Sequence, residues 1–275
     1  MKGAMRTLAV MFAMLCALAA PALGQDVRGL AEARAAFERF DYTEAYVRYT
    51  SLMSSPARPE SLYHLSIIYE GGYGVVPIDE AMALELLQGA ADAEYPAALT
   101  RLGMRHYEGN GFPQDHQQGL RLWRRASELG EVGATYSIAM YYLYIHGAER
   151  NQAEGAIWMR RAADAGHADA QFELARLNER GQGVDLNAAE AARLMRLAAI
   201  QGHRSARVAM VQYAFDGTGM TRDLVRAEMW ALIVERHDDP VAAEGRAVLH
   251  SQLTDAQRAA ASRLADQCEA DARNC

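Results

Sequence analysis

From residue 61 to residue 239 one arrangement of apolar and polar positions returns every 36 residues. An alanine opens each apolar stretch at Ala98, Ala134, Ala170 and Ala206. A polar residue follows at Asp79, Asp115, Asn151, Asn187 and Asp223, and a small one a turn later at Ala83, Gly119, Gly155, Ala191 and Ala227. Large apolar residues complete the unit at Leu86, Leu122, Trp158, Leu194 and Trp230. A strict period of this length marks an array in which each unit is a helix pair that buries its apolar side only against its neighbours. In each unit the spacing predicts a first helix of about 12 residues, a sharp turn and a second helix. The second helix carries small residues where it crosses the first, then a Leu or Trp to fill the groove.

The turn is written in glycine: Gly109-Asn110-Gly111, Gly181-Gln182-Gly183 and Gly217-Thr218-Gly219. A left-handed helix end and a tight reversal need positive φ, which glycine adopts without a Cβ penalty. A nucleotide-binding reading of these steps lacks a preceding strand and a third glycine. The Asp or Asn that follows is an N-cap, accepting from free backbone N–H groups. Two units depart from the pattern. The third has Ile145 at the first glycine position, Gly147 at the second, and Tyr141, Tyr142 and Tyr144 crowding its helix end. The first has Tyr73 and Val75 at the two positions, with Gly72 and Gly74 shifted by one.

The ends carry weaker versions of the unit. Residues 25–58 form a degenerate first repeat, with a helix over 27–40 that sets Leu30, Ala33, Phe37 and Phe40 on one face. Asp41-Tyr42-Thr43 breaks it, and a second helix runs over 44–53 until Pro56 and Pro59. Five regular repeats occupy 59–239, and 240–275 hold a closing pair: Val241 to His250, then Thr254 as N-cap to a helix from Asp255 to about Gln267. The expected fold is all-α, a right-handed α-solenoid of about seven helix pairs including caps.

Residues 1–24 read differently. Lys2 and Arg6 precede an apolar run from Leu8 to Ala20, and Ala22-Leu23-Gly24 forms a small-x-small cleavage site before Gln25. That is the pattern of a secretory signal peptide, its core short of the roughly 20 residues that span a bilayer. A periplasmic or secreted protein with no stable membrane anchor after cleavage is expected. Cleavage takes the 28 basic residues to 26 against 35 acidic ones, a net charge of about −9. Such a balance does not suit nucleic acid. Lys2 is the only lysine, so chemistry that needs a lysine Schiff base, a Ser-x-x-Lys pair or a phosphate-loop lysine is excluded after cleavage.

No H-E-x-x-H, G-x-S-x-G or clustered Cys/His spacing occurs, and no catalytic residue, metal site or cofactor is assigned. His167 and His203 lie 36 residues apart after Gly166 and Gly202. Packing in the loops accounts for them better than direct ligation of one ion, because successive repeats stand about 10 Å apart. Cys268 and Cys275 remain after cleavage, an even count in an oxidising compartment, and are expected to form a disulfide. A continuous helix would hold their Cα atoms about 10.5 Å apart, so the closing helix must unwind within Glu269 to Asn274.

The repeat resembles the Sel-1-like repeat family, a helix-pair class related to tetratricopeptide repeats. Ala98, Leu102, Gly103, Gly109, Gly111, Asp115, Ala126 and Gly130 match its pattern in the second unit. In the fourth, Ala170, Leu174, Ala175, Gly181, Gly183, Val184, Asn187, Ala198, Ala199 and Gly202 match. His106, Asn178 and Ala214 stand where the pattern prefers tyrosine. The 36-residue period favours this family over the 34 of tetratricopeptide repeats. The resemblance implies an α-solenoid that binds another protein or peptide, often in envelope regulation or assembly. It also implies an alternative, a secreted hydrolase acting on cell wall or β-lactam.

The surface opposite the buried side of the first helices is the expected binding face. Its columns are His64, Thr100, Tyr136, Phe172 and Val208; Ile68, Met104, Met140, Arg176 and Gln212; and Gly72, Glu108, Tyr144, Arg180 and Asp216. Tyr136, Met140, Tyr144, Phe172, Arg176 and Arg180 are the candidate protein-binding residues, aromatic anchors beside arginines that would meet acidic groups. Packing between adjacent repeats is the competing use of the first two columns.

Overall fold

Recurrent caps give the chain its helix boundaries. In a computed structural model, which describes residues 26–144, 151–237 and 242–275, every described helix pair follows the 36-residue lattice or a shortened form of it. The first compact unit, ending at Glu131, holds α1 (26–38), α2 (Tyr42–Ser51), α3 (Arg58–Gly71), α4 (Glu80–Asp92), α5 (Pro96–Glu108) and α6 (His116–Glu128). The second, from Val132 to Cys275, holds α7 (Val132–Tyr144), α8 (Gln152–Asp164), α9 (Ala168–Arg180) and α10 (Ala188–Ile200). It continues through α11 (Arg204–Asp216), α12 (Leu224–His237), α13 (Ala242–Ser251) and α14 (Asp255–Ala270). The described residues contain no strand. The leader at 1–24, the departure at Ile145 and Gly147, and the start of the closing pair at Pro240 and Val241 lie outside the described residues.

The caps come from the polar column. Asp79, Asp115, Asn151 and Asn187 each accept the backbone N–H three residues on, at 2.8–3.0 Å, and Asp223 accepts from Val225 and Arg226. Each thereby satisfies an otherwise free helix N–H. The backbone N–H groups of Asp115, Asn187 and Asp223 reach back nine residues to His106, Asn178 and Ala214. Asp79 reaches back ten, to Tyr69. The turn of the first repeat therefore holds one extra residue, which is why Gly72 and Gly74 sit one position early; both have positive φ.

The second turn glycine also joins consecutive repeats. A Cβ on Gly183 (φ 71°) would overlap the Gln152 carbonyl at the start of α8, and one on Gly219 (φ 65°) the Ala188 carbonyl at the start of α10. Within the α5–α6 pair, a Cβ on Gly103 would come within 2.7 Å of the Trp123 ring. Trp123 is buried and its indole N–H donates to the Thr100 carbonyl at 3.0 Å.

That tryptophan corrects the expected groove-filling column. Leu86, Leu122 and Trp158 are only half-buried, whereas Leu87, Trp123 and Met159, one residue later, are buried. A step of 100° carries the side chain from the rim of the helix pair into its interior. Leu194 and Trp230 are buried as expected, in a cluster that includes Cys268 and Cys275. Trp158 instead donates to Glu154 at 2.8 Å, with the Arg161 guanidinium 4.5 Å over its ring.

The first pair also differs from its reading. Phe40 has φ 62° and is 76% exposed, so Ala36, fully buried, takes the inward place. After the left-handed turn at Phe40, the Asp41 side chain accepts the Glu44 N–H and caps α2. That helix ends at Ser51, before either proline, and Pro59 lies in the first turn of α3, where its missing N–H has no partner to lose. At the other end Thr254 and Gln257 form a reciprocal cap, and α14 runs three residues further than expected, to Ala270. No helix among the described residues is long and apolar enough to cross a membrane.

Candidate interaction face

The first helices of the second unit present their outer sides through residues four apart, which a 3.6-residue turn stacks in one row. Tyr136, Met140 and Tyr144 lie along α7; Phe172, Arg176 and Arg180 lie along α9. The structure divides these six residues by environment.

Tyr136 and Phe172 are half-buried. Their rings stack on His167 and His203 at centroid distances of 4.7 and 4.3 Å. Each histidine caps the next first helix, its Nδ1 accepting the N–H of Ala170 at 3.3 Å or Ala206 at 3.1 Å. The two histidines in register are thus caps roofed by an aromatic from the preceding repeat. Burial, with the charges of Glu173 and Asp169, pushes the Tyr136 phenol up to about 12. Met140 is half-buried against the same core. These three side chains help to join adjacent repeats.

Tyr144, Arg176 and Arg180 form a more open group. Tyr144 is 49% exposed and its hydroxyl donates to Glu173 Oε2 at 3.0 Å. Arg176 Nη1 donates to Glu173 Oε1 at 3.1 Å, and its guanidinium stands 5.7 Å from the Phe172 ring centroid. Partial burial and the Glu173 carboxylate raise the Tyr144 phenol, while Arg176 and Arg180 pull it the other way. Arg180 is exposed, and no carboxylate among the described residues pairs with it. Glu173, which joins α7 to α9 here, escaped the sequence reading. Its lattice equivalents are Arg101, Ser137 and Ala209, so the period gave it no weight. Its place one helical turn before Arg176 was the available signal.

The first unit uses its arginines differently. Arg101 and Arg105 both pair with Glu70, and Arg34 makes a two-pronged pair with Glu60 at 2.5 and 2.6 Å. Those charges are already matched within the fold.

Farther along the second unit, a cleft of about 390 Å³ opens between α11 and α13, bounded below by α12. Val208 and Val248 stand at its mouth, 50% and 63% exposed. Val208 continues the Tyr136–Phe172 column, and Val248 lies 36 residues beyond Gln212 in the Met140–Arg176 column.

Comparison with known proteins follows the lattice. The Sel1 repeat family model matches residues 59–95, 96–131, 132–167, 168–203 and 206–233, more than half of the chain. One similar solved structure is c5321, a protective antigen of uropathogenic Escherichia coli strains displaying an SLR fold. It is 26% identical with a TM-score of 0.68, over 82% of this chain and 48% of that one. The present chain therefore spans about half the length of that relative. A Sel1 repeat protein from Oxalobacter formigenes shares the fold at 22% identity and a TM-score of 0.68, over 87% of this chain and 99% of that one. No curated protein matches the chain.

Proposed function

The chain belongs to the Sel1 repeat family, and we propose that it is a protein-binding scaffold of the cell envelope or exterior whose main contact surface is the first-helix face of repeats three to five. The observation that carries this reading is the open group on α7 and α9. An exposed tyrosine is fixed by Glu173, a half-exposed Arg176 lies against an aromatic ring, and Arg180 has no partner among the described residues. Aromatic and arginine side chains held in one orientation are what dominate the energetics of protein interfaces. A surface arginine that no carboxylate among the described residues matches is available to the acidic group of a binding protein. The role outside the cytoplasm is supported by the leader pattern of residues 1–24 and by the two cysteines near the end of the chain.

The test is capture from envelope extract of the source cells by the immobilised protein. Tyr144→Ala with Arg180→Ala should weaken retention of the captured partner by about tenfold or more, because two interface anchors together exceed about 1.4 kcal/mol. The melting temperature should not move. Unchanged capture together with a lowered melting temperature would assign these side chains to packing between repeats.

A further inference from the structure

The cleft between α11 and α13 has no part in holding the Tyr144–Glu173 group, yet it opens on the same face. We infer that it is the anchor pocket of the binding surface and takes one large uncharged side chain (Phe, Leu, Ile or Met) from an acidic segment of the partner. This rests on the protein-binding reading above and specifies the partner's chemistry.

Three features lead there. The walls are apolar, from Val211 and Phe215 on α11, Val234 on α12 and Leu249 on α13. The two valines at the mouth leave apolar surface in water that an inserted side chain would cover.

The second feature is charge. Among the described residues, Arg246 is the one charged residue in the lining. Its guanidinium is taken up by Glu228 Oε1 at 3.0 Å and by Glu235. Glu228, 1% exposed, also meets His250 Nδ1 at 2.9 Å. Two carboxylates around one guanidinium leave no positive charge to receive an anionic head, so a fatty acid or lipid phosphate is a poor occupant. An uncharged side chain enters without disturbing the ion pairs. A volume of about 390 Å³ suits a large side chain or a small ligand.

The third feature is position. Arg180, with no carboxylate partner among the described residues, lies on α9, in the repeat next to α11, on the same outer side. Packed helices stand about 8–10 Å apart, so this cation lies on the order of 10–20 Å from the cleft. An extended peptide rises about 3.3 Å per residue. The partner segment therefore carries its acidic residue roughly three to six positions from the apolar anchor.

A phage-displayed library of random linear peptides, panned against the purified protein, tests this directly. Enriched sequences should pair a large apolar residue with an Asp or Glu at about that spacing. The strongest binder is then synthesised with a fluorophore and titrated by anisotropy. Val248→Asp should weaken it by tenfold or more at an unchanged melting temperature. Replacing the peptide's apolar residue by Ala should cost as much on the wild-type protein and almost nothing on Val248→Asp. Enrichment of basic or purely polar peptides, or no enrichment, overturns the inference. So does binding that ignores Val248→Asp. Binding lost with Arg180→Glu but not with Val248→Asp would leave the protein-binding face standing and remove the cleft from it. Indifference to both variants would overturn both readings. Tight binding of a dansylated fatty acid, abolished by Val248→Asp, would assign the cleft to lipid instead.

Discussion

A single methyl group at Gly183 should loosen the joint between the third and fourth repeats, and Gly166 provides its control. Both residues have positive φ, 71° and 91°, so alanine at either carries left-handed strain of about 1–2 kcal/mol. The surroundings differ. A Cβ on Gly166 meets nothing within 4 Å, whereas one on Gly183 overlaps the Gln152 carbonyl. That carbonyl is backbone in the first turn of α8 and cannot swing aside as a side chain would. Relieving the overlap shifts the turn or the helix end, at about 1–3 kcal/mol for a methyl forced into a packed site. Gly166→Ala is thus expected to cost about 1–2 kcal/mol and Gly183→Ala about 2–5. Thermal melts followed by circular dichroism rank the two. Amide hydrogen exchange locates the effect, with faster exchange in the first turns of α8 for Gly183→Ala alone. Equal destabilisation by both substitutions would show that the turn does not press on the preceding repeat, and the account of the joint would fail.

Trp123→Ala should destabilise by about 3–5 kcal/mol, and Trp158→Ala by clearly less, because only the first ring is buried; paired urea melts decide the order. For Glu60, burial pushes the carboxyl up, but the paired hydrogen bonds and charge of Arg34, with His64 3.7 Å away, outweigh it and hold the group at about 2. Its unfolded value is near 4.5, so the stability it contributes is complete above about pH 4.5 and is lost as pH falls toward 2. Glu60→Gln should flatten that part of the stability profile in acid titrations. Cys268 and Cys275, with Cα atoms 4.7 Å apart, are expected to be joined under oxidising conditions, adding about 2.5 kcal/mol by the chain-entropy relation. Two alkylatable thiols per monomer in non-reducing mass spectrometry would refute the pairing.

Local hydrogen bonding made most of the lattice legible. Asp79, Asp115, Asn151, Asn187 and Asp223 announce helix starts because each answers the free N–H groups beside it. Gly109, Gly181 and Gly217 announce helix ends because they alone adopt the required φ cheaply. A fixed period could not register the extra residue between Gly72 and Asp79. Nor could it tell Leu122 from Trp123, since both fall in one broad apolar stripe and only tertiary packing decides which of two neighbours points inward. Asp41 caps α2 after the left-handed turn at Phe40, two residues before the 36-residue lattice would place a cap. At the candidate face, Tyr144 and Arg180 could be placed by counting turns. The stacking of Tyr136 and Phe172 under histidine caps, and the bond from Tyr144 to Glu173, depend on how α7, α9 and α11 lie side by side. The cleft depends on where the shortened closing pair sets α13 against α11, which no periodicity records.

The claim that a partner binds along the first helices of repeats three to five is tested most directly by site-specific photo-crosslinking in the source cells. A benzoylphenylalanine is placed singly at Tyr144, at Val208 and, on exposed second-helix positions, at Arg121 and Arg193. The account predicts that positions 144 and 208 yield the same crosslinked protein, identified by mass spectrometry, and that positions 121 and 193 do not. Crosslinking confined to the second-helix positions, or equal from all four, would contradict it.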